Sequence, residues 1–73
     1  MNTNIWTDRG DSAAREDIRA GHTGPWDRGA VLAHLGIATE DDTDAVACGL
    51  AGDDLDTAQR AALAGYAHMM KKT

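Results

Sequence analysis

The chain has 73 residues, a net charge of −5 from 12 acidic and 7 basic side chains, one cysteine and no phenylalanine. Its length suits a single domain over residues 1–73, it offers no run of about 18 apolar residues to cross a bilayer, and residues 1–11 lack the basic start and apolar stretch of a secretion signal. A lone Cys48 excludes an internal disulfide framework and few β-branched apolar residues argue against a sheet, so the expectation is a soluble, cytoplasmic, all-α protein, a compact bundle of three to four short helices.

Residues 1–10 are polar around Ile5 and Trp6 and read as an extended N-terminal arm, or a short edge strand, that docks its two apolar side chains on the helices. Asp11 or Ser12 can accept a hydrogen bond from a free first-turn amide, which places a first helix from there to about Ala20, with Gly21 as its left-handed exit. Pro25 suits the first position of a second helix running to about Leu35, where its missing amide costs nothing, and Gly36 stops it.

Thr39 followed by Asp42 is similar to a capping box and starts a third helix over about Glu40–Leu50. At 100° per residue its Thr43, Val46, Ala47 and Leu50 share one face, which is taken as the inner one. Asp53 or Asp54 caps a last helix from about Leu55 to Lys72, where Leu55, Ala58, Ala62, Tyr66 and Met69 recur at three and four residues. The apolar complement is small, fifteen large side chains besides Met1 and fourteen alanines, so a homodimer or a larger partner is a reasonable source of further stability.

The charge is distributed unevenly. Up to Gly36, five acids nearly balance four arginines, whereas Glu40–Asp56 holds seven acids and no base. Like charges three and four residues apart on a helix repel by a few tenths of a kcal/mol, an effect partly offset where they lie near the helix N-terminus. These acids serve either as caps on a solvated face or as a surface for a basic partner. Carboxylates at this spacing can stand where a nucleic-acid-binding protein expects phosphates.

Other chemistry is scarce. Val31–Ile37 resembles the centre of a helix-turn-helix, but the helix that would enter the major groove is the acidic one, so direct nucleic-acid binding is not expected. His22, His34, His68 and Cys48 share no metal-ligand spacing, and no phosphate loop, nucleophile elbow or paired-carboxylate arrangement is legible. A chain this short is expected to lack a substrate pocket, and neither a catalytic residue nor a cofactor is assigned. Of the two tryptophans, Trp26 is given to the core. Trp6, on the arm, is taken as an interface anchor, because tryptophan is enriched at binding hot spots.

The expectation is therefore a small acidic interaction protein that occupies the basic, nucleic-acid-binding surface of a larger protein. Its partner-binding residues would be Glu40, Asp41, Asp42, Asp44, Asp53, Asp54, Asp56 and Trp6. In size, acidity and lack of motifs it is similar to phage-encoded inhibitors of defence complexes, anti-CRISPR proteins among them. Two alternatives stand beside it: a DNA-binding regulator using Arg9, Arg15, Arg19 and Arg28, and a structural small subunit or homodimer.

Overall fold

Alanine and glycine on a helix face let a second helix approach closely, and this chain uses both. The computed structural model describes residues 2–22 and 26–72 and contains α1 (Asn4–Arg19), α2 (Arg28–His34), α3 (Thr43–Cys48) and α4 (Gly52–Met70). It is an all-α small bundle, with no strand among the described residues. The radius of gyration is 11.7 Å, close to the roughly 11 Å expected of a packed chain of this length.

The long helices α1 and α4 form the scaffold. Gly10 and Gly65 lie at their contact, where a Cβ at Gly10 would collide with the Ala62 carbonyl and one at Gly65 with the Thr7 carbonyl. Trp6 shares a cluster with Leu55, Ala58 and Ala62, whereas Ala13 and Ala14 cluster with Leu63 and Tyr66. The two helices therefore run in the same sense. The chain between them returns through α2 and α3, and the half-buried Leu32 and Leu35 touch both clusters and join them into one core.

Several expectations are corrected. The N-terminal arm does not exist as such: α1 begins at Asn4, because Trp6, Gly10, Ala13 and Ala14 are spaced for one helical face and all four are buried. Asp11 and Ser12 are mid-helix residues instead of caps, and the helix exits through Gly21 as expected. The placement of Pro25 lies outside the described residues, and α2 starts at Arg28 behind Asp27, whose carboxylate accepts from the Gly29 amide at 3.3 Å.

The third helix is shorter than anticipated and turns Thr43, Val46 and Ala47 outward, while Leu50, just beyond its end, is buried as expected. Asp42 is its cap in place of Thr39. Its Oδ1 accepts from the Thr43 amide at 3.2 Å and its Oδ2 from the Ala38 amide at 3.0 Å. The Gly36 carbonyl accepts from the Asp44 and Ala45 amides at 3.0 and 2.9 Å, which swings Ala45 inward and leaves Val46 63 % exposed. Asp53 and Asp54 lie in the first turn of α4, beyond the cap position held by Ala51. The apolar stripe of α4 is as read, with Leu55, Ala58, Ala62, Leu63 and Tyr66 buried.

Candidate functional site

Gln59 on α4 donates to the Ile37 and Ala38 carbonyls at 2.9 and 3.1 Å, holding the loop before α3 against α4. Across the same junction the Gly52 amide donates to Glu40 Oε1 at 3.4 Å. These contacts bring two acidic stretches, Glu40–Asp44 and Asp53–Asp56, to one end of the bundle. In the sequence, residues 45–52 separate them.

The seven acids do not play one role there. Asp42 spends both oxygens on backbone amides and is a fold residue. Asp44 pairs with Arg9 at 3.3 Å, and Asp56 with Arg60 at 3.0 Å on the next turn of α4. Asp41, Asp53 and Asp54 are exposed and, among the described residues, have no hydrogen-bonding or ionic partner, and Glu40 keeps one oxygen free beside them. The outward-facing acidic surface thus reduces to Glu40, Asp41, Asp53 and Asp54.

Trp6 must be removed from the site. It is 4 % exposed, packed in the core, with the Arg9 guanidinium 4.5 Å over its ring. The reading of one core tryptophan and one rim tryptophan stands with the two exchanged, since Trp26 is the half-buried one. The alternative DNA-binding surface also weakens, because Arg9 and Arg15 are each paired with a carboxylate, Arg15 to Asp11 at 3.2 Å. The resemblance to a helix-turn-helix ends at the connection: residues 35–42 separate α2 from α3, where that motif uses about three or four.

One feature contradicts the expectation that no pocket exists. An open cavity of about 500 Å³ lies between the end of α1, the start of α2 and the second half of α4. Asp17, His22, Trp26, Asp27, His34 and Tyr66 line it, with Val31 beneath. Tyr66 donates to Asp17 Oδ2 at 2.5 Å and meets the Trp26 ring edge-to-face, centroids 5.1 Å apart. Burial, then the hydrogen bond and the charge of Asp17, push the Tyr66 hydroxyl up to about 12, so it remains a donor throughout the neutral range. The aromatic positions were legible as helix-stripe residues, but no signal in the sequence joined Asp17 to Tyr66.

Among the described residues no three His, Cys, Asp or Glu side chains converge on a point that could hold a metal ion, and no helix is long and apolar enough to cross a membrane. Cys48 is exposed. No family model, curated protein or solved structure matches this chain, so its functional reading rests on the surface just described.

Proposed function

We propose that this protein is a small acidic interaction module that inhibits a larger partner by covering its basic, nucleic-acid-binding surface. It acts by occupancy and not by catalysis. The observation that carries the reading is the Glu40–Gly52 contact, which brings Glu40 and Asp41 to the end of the bundle where Asp53 and Asp54 begin α4, all within a stretch of sequence that holds no Lys or Arg. Clustered carboxylates held on helix starts and a tethered loop compete with phosphates for Lys and Arg and speed association through long-range attraction.

A homodimer has less support: the large apolar side chains exposed among the described residues are Ile5 and Val46, at 52 % and 63 %, far less than the continuous apolar seam of an obligate dimer. The reading is tested by affinity capture from a nuclease-treated lysate of the native host, with the wild type and an Asp41→Asn/Asp53→Asn/Asp54→Asn variant as baits. A nucleic-acid-binding protein held by the wild type, released by added DNA and lost with the variant is the expected result. Equal retention by both baits overturns it.

A further inference from the structure

The acids at the acidic end lie about 20 Å along α4 from Tyr66, taking Asp53 as reference and 1.5 Å per residue. The cavity at the other end has its own chemistry. Asp17 and Asp27 line it, no Lys or Arg does, and among the described residues neither acid is ion-paired, unlike Asp11, Asp44 and Asp56. Asp17 gives one oxygen to the Tyr66 hydroxyl and keeps the other, while Asp27 gives one to the Gly29 amide.

Trp26 lines the same cavity as these carboxylates and makes an edge-to-face contact with Tyr66 at 62°. Because Trp26 is only half-buried, part of its ring remains open to a ligand. An indole face attracts a cation through the ring quadrupole, most strongly where water is partly excluded. The last turn of α1 carries Asp17 to the cavity's edge, and the chain just beyond that helix brings His22 there. His22 and His34 at the rim add ring nitrogens that accept hydrogen bonds in the neutral form.

We infer that this cavity binds a guanidinium or ammonium group between Asp17, Asp27 and the face of Trp26. An anion would meet two carboxylates and no Lys or Arg. A bare metal ion would find no three-ligand cluster among the described residues, and a cavity of about 500 Å³ is far larger than one requires. An uncharged apolar ligand would have to strip water from both carboxylates without replacing it. The planar, weakly hydrated guanidinium satisfies all three walls at once, forking onto a carboxylate while stacking on indole. The inference stands apart from the acidic-end reading, since it uses none of the same residues.

The group can arrive as a free organic cation or on the side chain of a polypeptide, and one experiment separates the two. The folded protein is titrated in an amide-resolved NMR experiment with N-acetyl-arginine amide, with agmatine, with a (Gly-Arg)4 peptide and with the neutral N-acetyl-norleucine amide. Saturable shifts centred on the Trp26 indole, Ala30 and His34 are expected from the three guanidinium compounds and not from norleucine. Tighter binding of the peptide than of agmatine assigns the site to a polypeptide side chain. Agmatine binding as well or better assigns it to a free cation, and either result upholds the guanidinium assignment.

Asp17→Asn and Asp27→Asn each keep the local hydrogen bond and should weaken N-acetyl-arginine amide about fivefold, whereas Asp8→Asn should not. The two variants are read separately, so that loss of folding in one leaves the other decisive. Norleucine binding as well as arginine overturns the proposal, as do shifts centred on Asp53 and Asp54 or an unchanged affinity in both cavity variants.

Discussion

The Tyr66 hydroxyl donates to the Asp17 carboxylate at 2.5 Å across 49 residues of sequence, tying the end of α1 to the second half of α4. The bond has a titration consequence. In the folded chain Tyr66 loses its proton at about 12 instead of 10, chiefly because it is buried and also because it faces Asp17. A folded value raised above the unfolded one contributes stability that is complete below pH 10 and is lost as pH climbs from 10 to 12. Unfolding free energy from denaturant titration should fall over that window by about 2–3 kcal/mol more in the wild type than in Tyr66→Phe. Parallel pH profiles for the two proteins would contradict it.

The close approach of α1 and α4 makes an unusual prediction for glycine. On helix propensity alone, Gly→Ala in a helix interior stabilises by about 1 kcal/mol. At Gly10 and Gly65 the new methyl would press on a backbone carbonyl of the other helix, which cannot rotate away. Gly10→Ala and Gly65→Ala should therefore destabilise by about 2 kcal/mol or more, in the range of overpacked cores. Gly29→Ala, whose nearest neighbour would be an Asp27 oxygen at 3.6 Å, should be neutral or stabilising. Thermal melts of the three variants decide the matter by sign.

Trp6 separates a core role from an interface role. Trp6→Ala should cost about 3–5 kcal/mol, enough to unfold a small domain of ordinary stability. Trp6→Phe should retain both the fold and whatever partner the wild type binds. A Trp6→Phe protein that melts like the wild type yet releases its partner would restore Trp6 to the interface.

The acids divide in the same manner. Asp42→Ala removes the cap of α3 together with the Ala38 contact and should cost about 1–2 kcal/mol, seen as a lower melting temperature. The Asp41→Asn/Asp53→Asn/Asp54→Asn variant should melt within about 1 kcal/mol of the wild type, since exposed charges near helix starts are worth a few tenths each. Its partner affinity should drop more than tenfold at low salt, with the gap closing as ionic strength rises. A partner affinity of the wild type that is insensitive to salt would remove the electrostatic account.

Much of the helical content was legible in sequence because local rules wrote it. Leu55, Ala58, Ala62 and Tyr66 mark one face of α4 at intervals of three and four, and those residues are its buried face. The first half of α1 was not legible. Gly10 reads as a helix breaker by its propensity, and its compensation lies in the backbone of α4, which local pattern does not represent. The inner face of α3 was misassigned for a related reason: the Gly36 carbonyl captures the first amides of that helix and rotates Ala45 inward, a contact between residues eight or nine positions apart that overrides the local periodicity.

Sequence alone determined that this protein is helical, that its charge is negative and that seven acids occupy one base-free stretch, because composition, propensity and charge are local properties. Only the tertiary structure decided what those acids do. It paired Asp44 with Arg9, spent Asp42 on a cap and turned Asp41, Asp53 and Asp54 outward beside Glu40. It also buried Trp6 and built a cavity around Trp26 and Tyr66 from three separate helices. Ion pairs, cavities and burial depend on which distant segments meet, and in this chain that meeting is set by two glycines at the contact of α1 and α4.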